Sequence, residues 1–168
     1  MNDIDEDIYL KRLPYRPSVG LMILNKKLEV FVGRRVDTKG DAWQMPQGGI
    51  DDGETPIDAA FREMKEEIGT NNANSIAETK QWYKYDLPNH LIKKLWNGRY
   101  RGQRQKWFLM HYLGKDEDIN IEFKDIEFAD WKWVNIEELT QIIVPFKKKL
   151  YIAVIEEFRD VFLSLKEK

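Results

Sequence analysis

GGIDDGETPIDAAFREMKEEIG, residues 48–69, divides into a half suited to a loop and a half suited to a helix. Together with Pro46 and Gln47, the stretch 46–56 holds three glycines and two prolines, a composition that bends backbone rather than extending it. Thr55 then offers an N-cap oxygen, Pro56 suits the first helical position, Asp58 stands in capping-box spacing from Thr55, and Gly69 supplies a stop. Wound at about 100° per residue, residues 57–69 bring Ile57, Ala60, Phe61, Met64 and Ile68 into one apolar stripe. The same winding gathers Glu63, Glu66 and Glu67 on another face.

Like charges at this helical spacing repel by about 0.2–0.5 kcal/mol per pair, so the three glutamates sit unfavourably unless a cation joins them. Mg²⁺ and Mn²⁺ prefer oxygen ligands, and carboxylates on adjacent turns supply them while leaving positions for water and phosphate oxygens. Such an ion lowers the pKa of a water and neutralises polyphosphate charge, and a remaining carboxylate accepts a proton. A Glu-rich helical face is on its own also a common solvated surface.

Outward from the motif, residues 18–24 and 28–34 read as strands of a β-hairpin turned at Asn25-Lys26-Lys27, and residues 37–41 as a polar loop. Residues 43–45 read as a short strand, and 106–112 and 131–134 as further strands. Over 144–165, Leu150, Val154, Phe158, Val161, Phe162 and Leu165 recur at helical spacing, which predicts a helix packed on the sheet. Strands and helices intermix, there is no internal repeat, and 168 residues suit one domain, residues 1–168, of the α/β or α+β layered kind.

Composition narrows the chemistry. A formal charge of −2 gives the whole molecule no attraction for polyanions, so the distribution of basic residues decides any nucleic-acid affinity. The absence of cysteine excludes disulfides, thiolate nucleophiles and Cys-ligated zinc. His90 and His111 lack metal-ligand spacing, and neither a Walker-type phosphate loop nor an EF-hand loop occurs. The acidic N-terminus MNDIDEDIYLKR is unlike a secretory signal and no apolar run suits a membrane span, so the expectation is a cytoplasmic protein with no membrane partner.

Gly48, Glu54, Arg62, Glu63, Glu66, Glu67 and Gly69, with apolar Met64, match the box of the Nudix hydrolases. At about 7% usage per residue type, seven such matches arise by chance on the order of once in a million. The resemblance implies an α/β/α sandwich with a mixed sheet and a loop-helix-loop catalytic motif. It places Glu63, Glu66 and Glu67 at metal-binding, catalytic positions, gives Glu54 and Arg62 the task of fixing loop to helix, and brings the Gly48 carbonyl to a metal. The cofactor it implies is Mg²⁺ or Mn²⁺, as more than one ion. Thr70 departs from the apolar residue usual after the final glycine, which touches packing rather than chemistry.

YRPSVGLMILN from Tyr15, WQMPQGGID from Trp43, GQRQKWFL from Gly102, EFADWKWV from Glu127 and VPFKKKLY from Val144 resemble the bacterial RNA pyrophosphohydrolase branch, whose members also cleave diadenosine polyphosphates. That branch implies Glu127 as a further metal ligand, and Arg35 and Phe146 as the sandwich for a purine base. Arg16, Gln47 and Lys147 are nearby candidates for the phosphate chain. Guanidinium and phenyl groups both stack on bases without demanding their identity. Phe146 beside Pro145 equally suits core packing, whereas Arg35 is expected at the surface.

No acidic residue lies between Asp86 and Asp116, where Lys93, Lys94, Arg99, Arg101, Arg104, Lys106 and Lys115 interleave with Trp96, Tyr100 and Trp107. Such a stretch, Lys106 included, can guide RNA toward the acidic helix, or form a solvated loop over buried aromatics. Three functions follow: conversion of RNA 5′-triphosphate ends to monophosphates, hydrolysis of dinucleoside polyphosphates, or a non-catalytic binding module. The last would be marked by loss of box glutamates, all of which are present. Which carboxylate is the general base stays open among Glu63, Glu66, Glu67 and Glu127. Oligomeric state is not legible.

Overall fold

The computed structural model describes residues 2–37 and 40–168, so Thr38 and Lys39 of the expected loop at 37–41 lie outside the described residues. The chain opens with a helix the sequence reading did not anticipate, α1 (Asp3–Lys11), capped by the Asn2 side chain and acidic in its first turn. Strand β1 (Tyr15–Leu24) follows, then β2 (Val30–Arg35), the short β3 (Trp43–Gln44) and β4 (Gln47–Gly49). Helix α2 (Pro56–Ile68) is succeeded by β5 (Ala73–Glu78), β6 (Tyr83–Asp86), a single turn α3 (Asn89–Ile92), β7 (Gly102–Tyr112) and β8 (Phe128–Val134). A second short turn, α4 (Leu139–Ile142), precedes the long α5 (Lys148–Lys166).

Among the described residues these strands form one eight-stranded sheet with the path β3-β2-β1-β7-β5, while β4 joins β1, β6 joins β7 and β8 joins β2. β1 and β7 run parallel over ten paired positions and the other pairs are antiparallel, so the sheet is mixed. Alternation along β1 sends Val19, Leu21 and Ile23 to one face and Met22 and Leu24 to the other. The first set packs with Ala60, Met64 and Ile68 of α2, and the second with Tyr151, Val154 and Phe158 of α5. Helices therefore cover both faces of the sheet, in the α/β/α arrangement.

The helix over 57–69 forms where its caps predict. Thr55 Oγ1 accepts from the Asp58 N–H at 3.3 Å, and Gly69, at φ 80°, donates its N–H to the Lys65 carbonyl. Phe61, assigned to the apolar stripe, is only half-buried, while Ala59 and Glu67 are buried.

Other boundaries move for identifiable reasons. The hairpin turn extends to Glu29 because Asn25 Oδ1 accepts from the N–H groups of both Lys27 and Glu29, so β2 begins at Val30. The loop expected over 46–56 starts instead as β4, since Gln47, Gly48 and Gly49 pair with Gly20, Val19 and Ser18. β7 starts at Gly102, well before residue 106, because its first half pairs with β6 on one side and β1 on the other. α5 starts only after a 3-10 turn over Pro145–Lys147. Among the described residues no helix is long and apolar enough to cross a membrane.

Candidate active site

β1 pairs with β2 at Leu24 and Val30, and takes β4 along Ser18, Val19 and Gly20. This exchange brings the glycine loop and the second half of α2 to the end of the sheet where β1, β6 and β7 meet. A cleft of about 370 Å³ lies there, within the usual size of small-molecule sites. Arg16, Arg35, Gln47, Gly48, Glu63, Glu67, Glu127, Phe146 and Lys147 all line it.

Arg62 organises the loop and helix beneath the cleft. Its Nε and Nη2 each donate to Glu54 at 2.8 Å, Nη2 also donates to the Gly49 carbonyl at 2.8 Å, and Nη1 reaches Glu63 at 2.9 Å and Glu66 at 3.1 Å. Glu54 Oε1 in turn accepts from the Asp51 N–H, so one guanidinium ties three turns of chain together. The Arg62 guanidinium holds the Glu54 carboxyl below its ordinary range.

The three box glutamates do not share one environment. Glu66 turns away from the cleft, with Oε1 held by Lys124 at 2.9 Å and Oε2 by Arg62. Glu63 faces the cleft with its carboxyl pushed up to about 7, first by burial, against the opposing pull of Arg62. Glu67 is not the surface carboxylate that its helical position suggests. It is 7% exposed, its Oε2 has no hydrogen-bond partner, and burial followed by the charges of Glu63 and Glu127 raises its pKa well above the carboxylate range.

A buried carboxylate beside two others, with one oxygen unpartnered and Arg35 offsetting only part of the repulsion, offers hard oxygen donors that fit a divalent metal ion. Among the described residues no three acidic side chains stand in a coordinating arrangement, since Arg62 draws Glu63 and Glu66 toward itself. Gly48 leaves the room Glu63 occupies, because a Cβ there would lie 1.9 Å from the Glu63 carboxyl carbon.

The same lining also carries cations. Arg35, expected at the surface, is largely covered, donating to both Asp37 oxygens at 2.8 and 2.6 Å and standing 3.5 Å from Glu127. Lys147 is 5% exposed, donates to Gln44 at 3.1 Å and Gln47 at 3.4 Å, and is lowered to about 7 by burial and then by Arg35. Phe146 is half-buried with its ring 5.9 Å from Tyr85, so it both packs on the core and borders the cleft.

The floor is a chain of buried amides. The Trp107 indole N–H, which can only donate, fixes Gln105 Oε1 at 3.1 Å, so Gln105 Nε2 donates to Gln103 at 2.8 Å and Gln47 at 3.1 Å. Ser18 Oγ also donates to Gln103 Oε1, at 2.6 Å. With their oxygens engaged, Gln103 and Gln47 turn amide nitrogens to the cleft; Gln47 Nε2 donates one hydrogen to the Tyr85 hydroxyl at 3.3 Å, and its second suits a phosphate or base oxygen.

Lys106 is a correction: it lies outside the cleft, with Nζ on the Lys80 carbonyl at 3.2 Å. The basic stretch also divides. Trp107 is fully buried, Arg101 binds Asp86 and Lys93 pairs with Glu6. Tyr85 and Gln103 border the cleft without having been anticipated, and Trp96, read only as an aromatic of the basic stretch, joins them. A signal for Tyr85 and Gln103 existed in the alternation of YKYD and GQRQ, but only strand pairing says which parity faces inward. Trp96 sits at φ 49° with Arg16 at 5.0 Å over its ring, a placement no local pattern announces.

Residues 14–154 match the NUDIX domain, and the chain belongs to the Nudix family of hydrolases. It is 58% identical over 149 residues to the RNA pyrophosphohydrolase of Rickettsia typhi, covering 89% of this chain and 92% of that protein. It is 60% identical over 146 residues to the RNA pyrophosphohydrolase of Rickettsia canadensis, covering 87% and 91%. Its fold is similar to that of the E. coli dihydroneopterin triphosphate pyrophosphohydrolase, with TM-score 0.64 and 20% identity over 83% of this chain and 94% of that one. A C. elegans Ap4A hydrolase gives TM-score 0.63 and 22% identity over 89% and 98%. Nudix hydrolases generally need divalent metal ions.

Proposed function

We propose that this chain converts the 5′-triphosphate end of RNA to a 5′-monophosphate in the cytoplasm. The identity of 58–60% to RNA pyrophosphohydrolases over nearly the whole chain carries this reading. Water attacks phosphorus, the phosphoanhydride bond breaks, and pyrophosphate leaves with RNA bearing one phosphate. Glu63, Glu67 and Glu127, with the Gly48 carbonyl, would hold Mg²⁺ or Mn²⁺ as more than one ion, and Glu66 would join them on release from Lys124 and Arg62. The metal supplies charge neutralisation and a more acidic water.

Arg16, Lys147 and the amide of Gln47 hold the phosphate chain, and their donors converge on one cleft. A glutamate left outside the ligand set takes the proton from water. Arg35 and Phe146 flank the first base, a role supported by their positions in the cleft wall. Phe146→Ala is then expected to raise KM about tenfold with kcat little changed, since a base-aromatic stack is worth about 1–3 kcal/mol. A lower melting temperature with unchanged KM would make the ring purely core.

The direct test compares 5′-triphosphorylated RNA with diadenosine tetraphosphate at matched concentration in Mg²⁺, with Glu67→Gln as the blank. RNA is expected to be the better substrate. Preference for the dinucleotide would move the function to nucleotide clearance.

A further inference from the structure

The strands that line the cleft with one side chain present the next to the opposite face of the sheet. On β6 and β7, Tyr85 and Gln103 face the cleft, and the paired Lys84 and Arg104 face away from it. Lys106 continues that second face, and Trp82, just before β6, is 36% exposed with Arg104 at 4.5 Å and Lys106 at 5.9 Å over its ring. Beside them, Lys84 and Arg101 stand over the Tyr15 ring at 5.1 and 4.8 Å, and Lys80 is exposed.

Four cations thus stand over two aromatic rings, with Lys80 exposed close by. Of the nearby carboxylates, Asp86 is already engaged by Arg101 Nε and the Tyr15 hydroxyl at 2.8 Å each, Glu157 accepts from the Lys80 N–H and the Tyr83 hydroxyl, and Glu78 is exposed on neighbouring β5. The surplus is positive on a molecule whose net charge is −2. Cations alternating with ring faces suit a single-stranded polyanion carrying flat bases, because phosphates meet the charges and bases stack without regard to sequence.

We propose that this outer face of β6 and β7 is a second RNA subsite, taking nucleotides downstream of the 5′ end whose triphosphate lies in the cleft. The inference rests on the RNA reading above. β6 pairs only with β7 among the described strands, so it is an edge, and a strand leaving the cleft reaches the outer face by rounding it. The path rounds the whole edge strand, so only nucleotides downstream of the first arrive there. The cleft reads the end and this face holds the chain that follows.

The test measures kcat/KM for a triphosphorylated dinucleotide and for an unstructured triphosphorylated RNA of about twelve nucleotides, a length typical of single-strand sites. The wild type is expected to favour the longer RNA about tenfold at low salt, with the advantage falling as salt rises by a log-log slope of about 0.7 per phosphate contact. Lys84→Gln combined with Arg104→Gln is expected to cut that advantage to within about twofold and leave dinucleotide turnover unchanged. Trp82→Ala should reduce it while keeping the salt slope.

A double variant that keeps the full length advantage, or a wild type that shows none, overturns the subsite while leaving the RNA activity standing. Loss of dinucleotide turnover in the double variant would make these residues supports of the cleft, which also overturns it. If neither RNA is cleaved and diadenosine tetraphosphate is, the RNA reading itself has failed.

Discussion

Glu67→Gln is expected to lower kcat about 1000-fold or more and, in metal-free buffer at neutral pH, to raise the melting temperature. The two effects share one cause. Glu67 is buried with Oε2 unpartnered, and Glu63 and Glu127 add like charge to the cost of its burial. Its folded pKa lies well above the unfolded value of about 4.5, so the neutral carboxyl is the form the fold favours. That contribution is complete below about pH 4.5 and is lost as pH rises toward the folded pKa.

An amide carries no such charge, so the melting advantage of the variant should grow from pH 4.5 toward neutrality, by a few degrees on the scale of about 2–4 °C per kcal/mol. Mg²⁺ should then stabilise the wild type more than the variant, because binding to the native state alone raises stability. Thermal melts with EDTA and with Mg²⁺, beside a turnover assay, check all of this. Turnover near that of the wild type would remove Glu67 from the site, and a lower melting temperature without metal would show its charge to be satisfied.

Gly48→Ala should cost kcat about 100-fold or more while changing the melting temperature little, because precise placement of reacting groups is what a displaced carboxylate loses. A Cβ at residue 48 would lie 1.9 Å from Glu63 Cδ and 2.1 Å from its Oε2, and the far end of a side chain yields more readily than β4 does. Gly53→Ala is the informative contrast. Gly53 has φ 78° and nothing within 4 Å of its added Cβ, so the substitution strains backbone by about 1–2 kcal/mol without moving a catalytic group. One glycine should lose activity and the other stability. Equal loss of both in the two variants would mean that the loop responds as a whole.

The amino-acid sequence by itself determined α2 and its chemistry. Thr55, Pro56 and Gly69 mark its ends through local capping, and the order of Arg62, Glu63, Glu66 and Glu67 along it sets which charged groups share a face. These are interactions over a few residues, so a linear pattern contains them. β5 and β6 escaped because their stability comes from partners far along the chain: β6 is four residues whose strand pairing is all with β7. α1 has local signals in its Asn2 cap, acidic first turn and Asp7–Lys11 pair, but it buries Leu10 alone, so no apolar stripe announces it.

Tertiary structure alone decided which glutamates face the cleft. A helical wheel puts Glu63, Glu66 and Glu67 together, but β4 packed beside β1 buries Glu67, and Lys124, distant in sequence, draws Glu66 outward. It also divided the basic stretch, sending Trp107 into the core and Arg104 and Lys106 to the outer face beside Trp82. The physical reason is the same in each case. Charge and hydrogen-bonding type belong to the residue, whereas burial, and with it the strength of every electrostatic interaction, belongs to what the rest of the chain packs against it.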